Sequence, residues 1–191
     1  MKVFQVIWIL VILALVVGCQ KKQEAEQEVA ATEEQEVVSI ADVPSFNYVC
    51  LPFVGSYENH EKVIGDFIQA AGTQKIAFSG PMLGIYYNSP MDTPDDSLIW
   101  EIGFEVTEGT EVSEPLVLKT WNFTKVAKTM HIGHFEKVAE TYPKVFEFIG
   151  KMNMMPAGPT MERFLSDPEQ VELEDLQTEI WVPVSSVQME M

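Results

Sequence analysis

Two periodicities alternate along residues 45–187. In TEIWVPV (178–184), Ile180, Val182 and Val184 recur at every second position, the mark of a strand with one buried face. That parity puts Glu179 and Trp181 together on the opposite face. In LIWEIGFEV (98–106) the same alternation gives Trp100, Ile102, Phe104 and Val106 one face and Glu101, Gly103 and Glu105 the other. Between such segments the spacing becomes helical: Val63, Ile64, Phe67, Ile68 and Ala71 form one apolar stripe, and Tyr142, Val145, Phe146 and Ile149 another. Pro143 suits a first helical position with Thr141 nearby as a cap, so the second helix is expected to start late. Gly72 and Gly150 are expected to end the two helices in the left-handed conformation.

The pattern occurs twice. Shifted by 78 residues without a gap, residues 55–106 match 133–184 with ten identities in 52 positions, among them Gly80/Gly158, Pro81/Pro159, Glu101/Glu179 and Ile102/Ile180. Ordinary composition gives roughly three. Tyr86 and Phe164 are conservative mates on the second strands, LGIYYN and MERFLS. Each copy therefore reads strand, helix, strand, strand, an internal duplication with copies over approximately 45–110 and 119–187 of one α+β domain, 45–191.

The chain ahead of residue 45 has a different character. Lys2, an apolar run from Val3 to Val17, and Gly18-Cys19 make residues 1–18 a secretory signal, a little short for a plain membrane helix of about 20 residues. Val16-Val17-Gly18-Cys19 resembles the lipobox of bacterial lipoproteins. The resemblance implies a lipid on the Cys19 thiol and, with Gln20 rather than aspartate following, the periplasmic face of the outer membrane. An uncleaved anchor is the alternative, and either tethers the chain to a membrane. Within 19–44, residues 20–44 hold six glutamates and no aromatic residue, too little apolar area to offset chain entropy, and read as a solvated tether. With Cys19 spent on lipid, Cys50 has no intramolecular disulfide partner.

Charge narrows the partners. Without residues 1–18 the chain carries 11 Lys+Arg against 29 Asp+Glu, or 11 − 29 = −18, which repels nucleic acid and attracts cations at long range. No nucleophile elbow, phosphate-binding glycine loop or Cys-His pair is present. His60, His131 and His134 lack metal-ligand spacing, so neither metal nor cofactor is expected. The methionines of the MNMM run, Met152, Met154 and Met155, read as gap-filling loop residues.

The second-copy run GHFEKVAETYPKVFEFIGKMNMMPAGPTMERFLSDPEQVELEDLQTEIWVPV, with GPMLGIYYNSP and DSLIWEIGFEV in the first, resembles the GyrI-like small-molecule-binding domain, the effector-binding domain of AraC-type and MerR-type transcription activators. The resemblance covers nearly all of residues 45–187. It implies two pseudo-symmetric modules with antiparallel sheets, helices outside, and a central cleft between the sheets that takes hydrophobic, often cationic molecules. It also implies a ligand-facing glutamate on the last strand, surrounded by aromatic residues.

On that basis Glu179 and Trp181 are the first candidates, with Glu101 as the symmetry-related carboxylate and Tyr86 and Phe164 as aromatic walls. A carboxylate beside an indole attracts a cation by charge and by the ring's negative face, the ring term being of order 1–2 kcal/mol. If the two carboxylates approach each other, repulsion raises at least one pKa. A solvated outer strand face is the bland alternative for Glu179, and ordinary core packing for each ring. The leading expectation is a membrane-tethered module in the cell envelope that binds an amphipathic or cationic small molecule. Two alternatives stand beside it: a hydrolase of reactive xenobiotics with Glu179 or Glu101 as general base, and an envelope protein-interaction module.

Overall fold

The computed structural model of the chain describes residues 37–187, so the expected signal, Cys19 and most of the expected tether lie outside the described residues. Nine strands and two helices follow one another: β1 (Ser39–Asp42), β2 (Phe46–Val54), α1 (His60–Gln74), β3 (Met82–Tyr86), β4 (Ile99–Val106), β5 (Val117–Trp121), β6 (Lys125–Ile132), α2 (Tyr142–Lys151), β7 (Met154–Pro156), β8 (Thr160–Phe164) and β9 (Gln177–Ser186). Every strand pair is antiparallel. The order across the sheet is β1-β6-β9-β8-β3-β4-β2-β5, with the short β7 paired to the end of β9.

This order is the duplication made visible. The 78-residue offset carries β2, β3 and β4 onto β6, β8 and β9, and the two trios meet at the β3/β8 pair. There Gly84 is the register partner of Glu162, its own repeat mate, so the pseudo-twofold axis passes between them. The offset also carries β1 onto β5. Ser39–Asp42, expected in the tether, instead pairs with Lys125–Lys128 of β6, while β5 pairs with β2. Each copy's leading strand thus completes the outer edge of the other copy, and the boundary expected at residue 45 falls inside the fold.

Both helices lie on one face of the sheet. Helix α1 buries Val63, Phe67 and Ala71 against Val49, Trp100, Ile102 and Val106, and α2 buries Val145 and Ile149 against Ala127, Ile180, Val182 and Val184. Each such valine, isoleucine or phenylalanine side chain contributes about 1.5–3 kcal/mol on leaving water. The even positions of β9 face α2, as the sequence parity requires. The helix ends differ from expectation: α1 continues through Gly72, and the left-handed residues are Lys75 (φ 56°) and its repeat mate Asn153 (φ 54°). Pro143 does sit in the first turn of α2, after a 3-10 turn over Phe135–Glu140. The Thr141 hydroxyl, however, engages His131 Nδ1 at 2.9 Å instead of capping the helix.

A third cluster fills the helix-free face: Tyr48, Cys50, Leu83, Ile85, Trp121, Val126, Met161 and Trp181. Phe46 of β2 and Trp181 of β9 are four strand spacings apart, ~19 Å in a flat sheet, yet their ring centroids are 6.4 Å apart. The sheet therefore curls around this face, and the helices ride on its convex side.

Candidate functional site

The two glutamates singled out by parity both lie on the concave, helix-free face, and the protein supplies a cation to each. Glu101, 1% exposed, accepts from Tyr48 Oη (2.8 Å), Tyr87 Oη (3.0 Å) and Lys119 Nζ (2.5 Å). Glu179 accepts from Lys128 Nζ (3.1 Å) and Arg163 Nη1 (2.6 Å), and Arg163 Nη2 also reaches Glu105 at 2.9 Å. The Arg163 guanidinium stands 4.6 Å from the centre of the Trp181 ring, so the cation expected over that indole is an internal arginine. Burial alone pushes the Glu179 carboxyl up, but the hydrogen bonds from Arg163 and Lys128 outweigh it and hold the group below its usual range. The expected repulsion between Glu101 and Glu179 is thus replaced by separate compensation of each. Burial also raises the Tyr48 and Cys50 side chains, with the Glu101 charge as the next cause for both.

Tyr86 and Phe164 do not join this group. They face the helices, because β3 points Leu83 and Ile85 to the concave face and leaves Met82, Gly84 and Tyr86 on the other. Phe164 meets Phe135 edge-on at 5.4 Å. Tyr86 belongs to a different constellation, over the central β3/β8 pair and flanked by both helices.

At its centre is Glu162. Strand β8 reads Thr160-Met161-Glu162-Arg163-Phe164, and with Met161 in the concave core, parity sends Glu162 to the helix face beside Gly84. Tyr142 Oη, from the first residue of α2, donates to Glu162 Oε1 at 2.8 Å, and Tyr86 Oη lies 3.1 Å from Oε2. His60 Nε2, at the start of α1, is 3.1 Å from the same Tyr86 hydroxyl, and its Nδ1 is 2.5 Å from the Tyr57 carbonyl oxygen. The Tyr57 ring packs edge-on against Tyr86 (5.2 Å) and Trp100 (5.8 Å), and the His60 ring lies 4.3 Å from Trp100. Glu162, Tyr57, His60, Tyr86 and Tyr142 are all partly buried, each keeping some surface open to solvent.

The electrostatics of this cluster are unlike those of the concave face. Burial pushes the Glu162 carboxyl up to about 7, and the hydrogen bonds of Tyr142 and Tyr86 only partly oppose it. Burial and then the Glu162 charge raise the Tyr86 and Tyr142 hydroxyls well above their usual value and bring Tyr57 to about 12, so all three stay neutral donors at physiological pH. Burial lowers His60. Three tyrosines wall this carboxylate and no cation is seen to meet it among the described residues, an arrangement whose chemistry suits a positive charge carried on an apolar body.

Glu162, Tyr142, Tyr57 and His60 are absent from the sequence candidates. The available signal was Phe164: Glu162 is two residues before it in the same strand and so shares its face. Among the described residues, no group of three or more His, Cys, Asp or Glu side chains is placed to hold a metal ion.

Comparison with known proteins agrees with this architecture. The chain is similar to the C-terminal domain of EcmrR (12% identity, TM-score 0.71, covering 80% of this chain and 99% of that one). It is similar to a hydrolase from Listeria innocua (15%, TM-score 0.62, 84% and 97%) and to SAV2435, solved bound to tetraphenylphosphonium (15%, TM-score 0.54, 78% and 94%). A search of curated protein sequences finds no match. The profile described as GyrI-like small molecule binding domain matches residues 36–185. With the duplicated sheet and its flanking helices, that match places this chain in the GyrI-like small-molecule-binding family.

Proposed function

We propose that the chain binds a hydrophobic cation in the cleft between α1 and α2, with Glu162 as counter-ion and Tyr57, Tyr86 and Tyr142 as walls. The observation that carries this reading is the half-buried Glu162 carboxyl, raised to about 7 and met by hydroxyls alone. At pH 7.5 such a group is mostly ionised in an environment that penalises its charge, so a guest bringing the opposite charge and its own apolar surface relieves the penalty. Tetraphenylphosphonium, the ligand of the SAV2435 structure, has that chemistry. Titration with this cation, against a neutral aromatic of matching size, is the test: saturable binding of the cation with at least tenfold preference supports the reading, and equal binding of both removes Glu162 from it.

We further propose that capture takes place in the cell envelope, with the domain held to the membrane by lipid on Cys19. This rests on the sequence of residues 1–20 and on the acidic segment that follows. Metabolic labelling with a fatty acid, lost in Cys19→Ser, tests it.

A hydrolytic reading is favoured by one feature. A carboxyl near 7 is matched to general-base work at neutral pH. Turnover of electrophilic substrates, abolished in Glu162→Gln, decides for it, and a broad panel without turnover decides against it.

A further inference from the structure

The hydrogen-bond chain around Glu162 constrains where its proton lies. The Tyr57 carbonyl oxygen can only accept, so His60 Nδ1, 2.5 Å away, carries a hydrogen. In a neutral imidazole Nε2 is then a bare acceptor, and the group facing it is the Tyr86 hydroxyl at 3.1 Å. That hydroxyl has one hydrogen and two neighbours, His60 Nε2 and Glu162 Oε2, each 3.1 Å away. Once the hydrogen points to His60, only a lone pair of Tyr86 faces Glu162, and the contact closes only when the carboxyl supplies the proton. The alternative has the same number of protons: an imidazolium at His60 donating to Tyr86, and Tyr86 donating to a carboxylate.

We propose that His60 is a positioning residue that fixes the Tyr86 hydroxyl and thereby favours the protonated form of Glu162 in the empty cleft, so that a cation meeting that form enters by exchange for one proton. This rests on the cation-binding reading above. The exchange balances: the Glu162 O–H bond breaks, the carboxylate remains with the cation, and the proton leaves to solvent, either directly or through Tyr86 and His60 Nε2. No electron is transferred. Burial favours the neutral arrangement, since it raises Glu162 and lowers His60. The groups facing the carboxyl and the imidazole are Tyr57 from the turn before α1, Tyr86 from β3, Trp100 from β4 and Tyr142 from α2, and none of these is charged at neutral pH. Arg163 and the lysines of the concave face lie across the sheet.

The consequence runs against the usual effect of removing a hydrogen-bonding residue. In His60→Phe the ring contact with Trp100 is kept and the acceptor is lost, so the Tyr86 hydroxyl turns to Glu162 and stabilises the carboxylate. A carboxyl at about 7 with Tyr86 donating to it lies no lower once that hydrogen turns to His60, so the ionised fraction falls at least about eightfold between pH 7.5 and pH 6, and the parent's affinity for tetraphenylphosphonium should fall with it. The His60→Phe variant should lose less than the parent over that interval and bind more tightly than the parent at pH 6. Tyr86→Phe, which removes the donor, should keep at least the parent's slope.

Nitrogen NMR of the full chain without ligand supplies an independent readout. The expected result is a neutral His60 in the Nδ1–H tautomer. The Nε2–H tautomer overturns the proposal, as does a His60→Phe slope equal to the parent's. If the phosphonium binds the parent at no pH, the cation reading fails, while the tautomer and a carbon-NMR titration of the Glu162 carboxyl still decide the role of His60. If His60→Phe does not fold, the tautomer and the Tyr86→Phe slope decide it.

Discussion

Gly84 and Glu162 are repeat mates that face each other as register partners across β3 and β8. At this one place in the duplication a residue meets its own counterpart. Two glutamates there would repel, and two glycines would offer no counter-ion, so the divergence of the copies at this pair creates a single carboxylate beside a position that carries no side chain of its own. That absence has a use. A Cβ on Gly84 would lie 2.6 Å from Tyr86 Oη, so the absence of a side chain lets the tyrosine fold back toward Glu162. Gly84→Ala is expected to fold with little change in Tm, displace that hydroxyl, and weaken phosphonium binding about fivefold, the equivalent of one hydrogen bond of ~1 kcal/mol. Isothermal titration of the two proteins checks this.

The concave face should respond in the opposite way. Arg163 ties Glu179 of one copy to Glu105 of the other and covers the Trp181 ring. Arg163→Met leaves both carboxylates without that partner in a largely buried setting, and the expected cost is about 3 kcal/mol in urea unfolding, with phosphonium affinity within threefold of the parent. Loss of binding at unchanged stability would instead place the ligand on this face.

Much of the fold was legible because it rests on period and repetition. The face of β9 formed by Ile180, Val182 and Val184, the late start of α2 at Tyr142-Pro143, and the equivalence of the copies follow from residues whose burial dictates their spacing. The leading strands were not legible: Ser39–Asp42 is a short strand of mixed polarity at a sheet edge, held by backbone pairing to β6 that leaves no side-chain signature. Of the proposed site, Tyr86 alone was among the sequence candidates, and the parity of β9 gave Glu179 the face on which it lies. What the sequence did not disclose is that the concave face is neutralised from within by Lys119, Lys128 and Arg163, residues distant along the chain from the carboxylates they meet. Glu179 stood out because its neighbour was a tryptophan, whereas Glu162, beside Arg163, resembled half of a surface ion pair.

Glu162 gives stability and binding opposite dependences on pH. Its folded pKa, about 7, lies above the unfolded value of 4.5, so the native state binds more protons between these values. The contribution to stability is fully present below about pH 4.5 and is lost as pH rises through 7, up to about 3 kcal/mol in all. Cation binding strengthens over the same range, because the carboxylate is the binding form. The difference in unfolding free energy between the parent and Glu162→Gln, followed from pH 4.5 to pH 8, isolates the group: the variant is expected to gain on the parent as pH rises. A flat difference would show that Glu162 titrates in the folded protein as it does in the unfolded chain.

The most direct test compares three proteins at pH 7.5. Tetraphenylphosphonium affinity is measured by isothermal titration for the parent, Glu162→Gln and Glu179→Gln, with a thermal melt of each. The expected result is a loss of more than tenfold in Glu162→Gln with an equal or higher Tm, and near-parent affinity with a lower Tm in Glu179→Gln. Parent-like binding by Glu162→Gln, together with lost binding at unchanged Tm in Glu179→Gln, would contradict the assignment of the site to the helix face.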